Sequence, residues 1–190
     1  MTHFPPRYLD SRRLLLRPPK LDDAGPIYKK IAKDPEVTRF LLWRAHRNVA
    51  ETRRVLINQR SRSRYERNWV ISLHGSGEIV GLISCRSDAP RSIEVGYCLG
   101  RQWWDMGFMS EALSLLLAGL PADAAGCRVW ATCHVDNARS ARLLQRAGFV
   151  LEARLCRHAV YPTMGPEPND SLLYTRILRL NRAPMPRFAP

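Results

Sequence analysis

The spacing of apolar positions divides the chain into a strand, two helices, a run of three strands, a helix, a strand, a helix and two closing strands. Residues 12–17, Arg-Arg-Leu-Leu-Leu-Arg, read as a short buried strand between charged ends. Asp22 is placed to cap a helix whose apolar positions Ala24, Ile27, Tyr28 and Ile31 fall at helical spacing. An arginine-rich stretch over 49–66 predicts the second helix. Residues 69–73 and 79–85 read as strands joined by His74-Gly-Ser-Gly77, which has hairpin turn chemistry. A third strand of this run, 92–99, follows the Asp88-Ala-Pro90 turn.

The strongest helix comes next. Met109, Ala112, Leu113, Leu116, Leu117 and Leu120 form one continuous apolar stripe, closed off by Pro121 and Gly126. Residues 127–133 read as a strand, Asp136 or Asn137 starts another helix, and Gly148 stops it. Residues 149–180 read as two strands around a loop at 162–170, and the proline-bearing residues 181–190 as a tail. The order is mixed α and β, with a strand–helix–strand–helix unit at its centre, and residues 1–180 form one domain.

Composition narrows the class. A chain of 190 residues, 45% of them hydrophobic, can bury a core without metal or disulfide staples. No apolar run approaches the roughly 20 residues that span a bilayer, and residues 1–17 lack the order of a secretory signal, so a cytoplasmic location is expected. The five cysteines (Cys85, Cys98, Cys127, Cys133, Cys156) include no C-x-x-C pair, which argues against a metal site. The net charge of +13 favours an anionic partner: nucleic acid, an acidic protein surface or a phosphorylated cofactor. Arg53, Arg54, Arg60, Arg62, Arg64 and Arg67 crowd one segment. They fit a solvated helix face as well as a binding patch, since no aromatic stacking pattern accompanies them.

Two blocks carry a resemblance. Residues 93–113, Ile-Glu-Val-Gly-Tyr-Cys-Leu-Gly-Arg-Gln-Trp-Trp-Asp-Met-Gly-Phe-Met-Ser-Glu-Ala-Leu, resemble the GNAT superfamily of N-acetyltransferases. Residues 136–149, Asp-Asn-Ala-Arg-Ser-Ala-Arg-Leu-Leu-Gln-Arg-Ala-Gly-Phe, are similar to the branch that contains the ribosomal-protein alanine acetyltransferases, the RimJ/RimL-like enzymes. Arg13-Leu-Leu-Leu-Arg17, Leu21-Asp-Asp-Ala24 and Asp34-Pro-Glu-Val-Thr38 agree with the same branch, so the likeness runs over nearly the whole chain in order.

The resemblance implies an α+β fold in three layers: a mixed, mostly antiparallel sheet flanked by helices and splayed at an acetyl-coenzyme A site. It implies acetyl transfer from acetyl-coenzyme A to a primary amine by direct attack on the thioester. The backbone of Val95, Tyr97 and Leu99 would hold the pantetheine arm. The turn and helix start at Gln102, Asp105, Met106, Gly107, Phe108, Met109 and Ser110 would hold the pyrophosphate, because a helix N-terminus offers free N–H groups and partial positive charge. The family's turn is Gln/Arg-x-x-Gly-x-Gly/Ala, and Asp105 stands where its first glycine is usual. A carboxylate there repels pyrophosphate by about 1 kcal/mol at 4 Å in water, unless the side chain points outward. As an ordinary helix start, the same turn would use Asp105 or Ser110 as N-cap.

Glu94 is the candidate base. It alternates onto one strand face with Ser92, Gly96 and Cys98, which leaves room beside it for a substrate; pairing with Arg86 is its structural alternative. Asn137 and Ser140 lie one helical turn apart. The resemblance puts the asparagine on the cofactor arm and the serine near the sulfur, as a proton donor. Many superfamily members carry an acid tyrosine further along this helix; here that position is Leu144. Tyr174 and His158, on the closing strands, are candidates for the acceptor pocket.

Two other classes stay open at this point. Asp105 and the missing tyrosine suit a non-catalytic acyl-coenzyme A sensor, and the charge suits a ribosome- or RNA-associated protein. A monomer and a homodimer fit equally well.

Overall fold

The computed structural model describes residues 4–61, 66–121 and 126–178. Eight strands form one open sheet in the order β1-β2-β3-β4-β5-β6-β8-β7. They are β1 (Leu9–Asp10), β2 (Leu14–Arg17), β3 (Glu66–Leu73), β4 (Ile79–Ala89), β5 (Ser92–Leu99), β6 (Arg128–His134), β7 (Val150–Val160) and β8 (Pro168–Ile177). Every neighbouring pair is antiparallel except β5 and β6. Among the described residues the five α-helices are α1 (Ala24–Ile27), α2 (Pro35–Thr38), α3 (Val49–Ser61), α4 (Phe108–Ala118) and α5 (Ala138–Arg146).

Strand alternation sends apolar side chains to both faces, and a core forms on each. One core gathers Leu14, Leu16, Ile93 and Val95 with Met109, Leu113 and Leu116 of α4 and Leu144 of α5. The other gathers Val70 and Ile79 with Ala24 and Ile27 of α1, Ile31 just after it, Val37 of α2 and Leu56 of α3. This is the expected three-layer arrangement. Among the described residues no helix is long and apolar enough to cross a membrane, and no cluster of ligating side chains could hold a metal ion.

Several expected boundaries move. Asp22 caps nothing: a short 3-10 turn, Leu21–Asp23, precedes α1, and a π-helical turn, Tyr28–Ala32, follows it. The neighbouring Asp23 does the work, accepting the Lys20 N–H and both Arg17 guanidinium nitrogens at 2.8 Å. Strand β3 begins at Glu66 rather than at residue 69, because β4 runs on to Ala89 and supplies partners as far as Arg86. Strand β1 was not foreseen; two residues carry too little pattern to be seen. Of the arginine cluster, Arg53 and Arg54 are exposed on α3. Arg67 instead turns inward, bonding the Pro5 carbonyl and lying 5.5 Å over the Phe4 ring. Arg62, Arg64 and the tail at 181–190 lie outside the described residues.

Candidate active site

The parallel ladder between β5 and β6 is three pairs long: Ser92 with Arg128, Ile93 with Val129, Glu94 with Trp130. Beyond Glu94 the strands part. β5 stays bonded to β4 as far as Leu99, and β6 stays bonded to β8 as far as His134. The gap between them opens into a groove of about 910 Å³.

Backbone alternation decides which groups face the gap. Gly100 N–H donates to the Val80 carbonyl, so the even-numbered residues of β5 bond β4. Val95, Tyr97 and Leu99 therefore turn their backbone groups towards β6. The Leu99 carbonyl is already taken by the Trp104 indole at 3.0 Å. The last parallel pair uses the Val95 N–H, so the Val95 carbonyl and the Tyr97 backbone groups offer an open ladder to an extended ligand.

At one end of the groove stands the start of α4. Gly107, at φ 76°, is its N-cap and supplies no side-chain cap, so the first N–H groups of the helix face outward. Neither Asp105 nor Ser110 caps this helix. Asp105 sits at φ 63°, a left-handed conformation that Asp tolerates better than most residues and glycine adopts freely. That explains why glycine is usual there. The Asp105 carboxylate is exposed and lies 3.3 Å from Arg139 of α5, whose guanidinium stacks 4.6 Å over Trp104. Arg139, Arg142 and Arg146 all border the groove, making its α5 wall cationic. An uncapped helix start, an open strand edge and a cationic wall together fit the pyrophosphate and amide-bearing arm of a coenzyme A thioester.

Of the residues singled out in the sequence, Glu94, Val95, Tyr97, Leu99, Asp105, Gly107, Met109, Ser110, Asn137 and Ser140 all border this groove. Gln102, Met106 and Phe108 do not. The Met106 carbonyl instead accepts from Arg13 at 3.3 Å, and the Phe108 ring lies under the same guanidinium at 4.8 Å. Tyr174 is buried in the core beside α5, its hydroxyl 3.3 Å from Gln145 Nε2. His158 is exposed on β7 and bonds Ser171 at 3.1 Å. Neither borders the groove.

Glu94 faces the helix α1–α3 side with Gly96 and Cys98, as alternation required. One of its carboxylate oxygens pairs with Arg86. Asn137 is the N-cap of α5, its Oδ1 accepting the Ser140 N–H at 3.1 Å. Ser140 Oγ in turn lies 2.8 Å from the Tyr97 hydroxyl. Burial pushes the Cys98 thiol up to about 12 and the Cys133 thiol up to about 11, so both thiols that border the groove stay protonated near neutral pH. Burial also raises the Tyr97 phenol well above its ordinary value.

The wall opposite α5 went unseen in the sequence. Phe40, Leu41, Leu42 and Trp43 border the groove from the loop after α2, and Tyr161 borders it from the end of β7. Behind them His134 stacks on Phe40 at 5.1 Å and meets the Tyr161 ring edge-on at 4.9 Å. Its Nδ1 accepts the Asp136 N–H at 3.1 Å, which puts the ring hydrogen on Nε2. That atom is buried without a partner among the described residues. The run Phe-Leu-Leu-Trp has no period that marks it as a wall. The arginines of α5, by contrast, carry a readable i, i+3, i+7 spacing.

A model of the GNAT acetyltransferase domain matches residues 13–150. The chain belongs to the GNAT acetyltransferase family. It is an N-acetyltransferase whose donor is acetyl-coenzyme A. It is 27% identical over 173 residues to an uncharacterised N-acetyltransferase, YoaA, of Bacillus subtilis, covering 88% of this chain and 94% of that one. It is 31% identical over 103 residues to the ribosomal-protein-serine acetyltransferase of Escherichia coli, covering 53% of this chain and 56% of that one. Among solved structures, the fold matches a ribosomal L7/L12 α-N-protein acetyltransferase in complex with coenzyme A. The TM-score is 0.76 at 21% identity, over 92% of this chain and 99% of that one.

Proposed function

We propose that this GNAT acetyltransferase acetylates a protein or peptide N-terminal α-amine, with Glu94 receiving the amine proton and Ser140 serving the departing sulfur. The observation that carries the reading is that Glu94 and Ser140 border one groove from opposite walls, where β5 and β6 part. Acetyl transfer needs a neutral amine. At neutral pH, deprotonation costs roughly 4.6 kcal/mol for a lysine side chain but only about 1 kcal/mol for an α-amine. A single carboxylate, already paired with Arg86, suits the smaller task.

Glu94 accepts the proton as the amine nitrogen bonds to the acetyl carbon. Ser140 donates a hydrogen bond to the sulfur as the carbon–sulfur bond breaks, and the sulfur leaves with the electron pair. No acyl-enzyme is needed, since Cys98 and Cys133 are held as thiols by burial. The likeness to an L7/L12 α-N-protein acetyltransferase and to a ribosomal-protein-serine acetyltransferase supports the α-amine class without specifying this chain's acceptor. Asp105 does not turn the site into a mere sensor, because its carboxylate is directed to Arg139 and leaves the start of α4 open.

The test is thiol release from acetyl-coenzyme A with two peptide sets: free α-amine without lysine, and blocked α-amine with lysine. Release with the first set is expected. Release with the second set alone overturns the α-amine reading.

A further inference from the structure

The α5 position where related enzymes carry a tyrosine is Leu144, fully buried in the core. A tyrosine nevertheless reaches the groove from the opposite strand. Tyr97 and Cys133 hold equivalent places on the two diverging strands, each three residues past the last parallel pair, Glu94 and Trp130. Both pack against the core on the α4 and α5 side. Ser140, in the first turn of α5, stands between them. Its Oγ lies 2.8 Å from the Tyr97 hydroxyl.

The direction of this chain follows from counting hydrogens. A serine hydroxyl has one hydrogen to give and two lone pairs with which to accept. When that hydrogen is given to the departing thiolate, Ser140 can only accept from Tyr97. The order is therefore Tyr97 O–H to Ser140 Oγ, and Ser140 O–H to sulfur. A hydroxyl that accepts one hydrogen bond becomes a stronger donor in the next. The buried phenol keeps its hydrogen across the working pH range, so the first link does not titrate away.

We infer that Tyr97 is a positioning residue for acetyl transfer: its phenol hydrogen, given to Ser140 Oγ, fixes the Ser140 hydrogen on the sulfur side and strengthens it towards the departing thiolate. The inference rests on the reading of Ser140 as the group that serves the sulfur. No proton needs to leave Tyr97 or Ser140. The carbon–sulfur electron pair goes to sulfur, the amine proton goes to Glu94, and solvent later protonates the released thiolate.

The experiment uses four full-length proteins: wild type, Tyr97→Phe, Ser140→Ala and the double variant. Calorimetry reads the affinity for coenzyme A at about pH 7 and about pH 9, on either side of an ordinary thiol pKa. Acetyl-coenzyme A, which has no free thiol, is the control ligand. In wild type, coenzyme A gains affinity over acetyl-coenzyme A as the thiolate forms. Tyr97→Phe is expected to cut that gain about threefold to tenfold, the worth of one hydrogen bond. In Ser140→Ala, adding Tyr97→Phe is expected to cause no further loss. With any peptide that is acetylated, Tyr97→Phe lowers kcat by a similar factor and leaves KM for acetyl-coenzyme A unchanged.

A wild-type gain retained in Tyr97→Phe overturns the inference. So does an equal loss of affinity for both ligands, which a purely structural role would give, or an effect of Tyr97→Phe that persists in the absence of the Ser140 hydroxyl. The binding arm needs no acceptor. A Tyr97-dependent thiolate gain without acetylation of any α-amine therefore sinks the acceptor reading and leaves this inference standing.

Discussion

The Asp105 carboxylate and the Arg139 guanidinium, 3.3 Å apart, tie the turn before α4 to the first turn of α5 across the mouth of the groove. Both side chains are more than half exposed, so the pair itself contributes little to stability. Its effect falls on the cofactor. The pair occupies an arginine that would otherwise be open to phosphate, and it keeps a negative charge beside the helix start.

Asp105→Gly is therefore expected to tighten acetyl-coenzyme A binding by about threefold to tenfold at low salt. It removes a like charge and places glycine at a positive φ. The gain shrinks as salt rises, since exposed charges are screened over roughly 10 Å at 0.1 M ionic strength. Calorimetry at two salt concentrations checks both statements. Weaker binding would mean that the carboxylate helps to hold the ligand.

Glu94→Gln keeps the shape of the side chain and removes the proton acceptor. Turnover with an α-amine peptide is expected to fall by about 10²–10⁴-fold. Acetyl-coenzyme A affinity should stay near the wild-type value. Thiol release measured between about pH 6 and pH 9 checks this, and turnover unchanged over that range would take Glu94 out of the mechanism.

Asp23 links the first helical turn to β2. Burial pushes its pKa up, but the Arg17 guanidinium and the Lys20 N–H outweigh that, and the carboxyl ends below its ordinary value. A depressed folded-state pKa stabilises the fold above the unfolded value, near 3.9. That stabilisation is lost as pH falls through the lower folded value. Asp23→Ala strands the mostly buried Arg17 and should cost about 3 kcal/mol at neutral pH. In urea titrations the difference from wild type is expected to narrow below about pH 4.

Gly100 closes β5 just before the Trp103–Trp104 pair. A Cβ there would meet the Lys30 carbonyl and the Trp103 ring, each at 2.6 Å. Gly100→Ala should destabilise the protein by about 1–3 kcal/mol through overpacking, lowering the urea midpoint. The displaced Trp103 would also disturb the adjoining Trp104, which bonds Leu99 and stacks under Arg139, so acetyl-coenzyme A binding should weaken as well.

The sequence by itself determined the elements that depend on local periodicity. The bounds of β5 follow from strict alternation within one segment, and the stripe on α4 from one-turn spacing, as both rely on contacts a few residues apart. The family was legible for the same reason: two contiguous blocks hold the strand–turn–helix pieces in order. Glu94 was placed on its face by alternation alone.

Only the tertiary structure decided what lies across the groove. That Asp105 turns to Arg139, that Tyr97 reaches Ser140, and that Phe40, His134 and Tyr161 stack into one wall are all meetings between distant segments. No local pattern encodes them. Tyr174 and His158 failed to reach the groove for the same reason: the pairing of β8 with β6 sends Tyr174 into the core, and His158 lies exposed on β7 at the sheet's edge. Local spacing sets which way a side chain points on its own element. The packing of the sheet and its helices sets what that side chain meets, and in this protein the chemistry of the groove rests on the second.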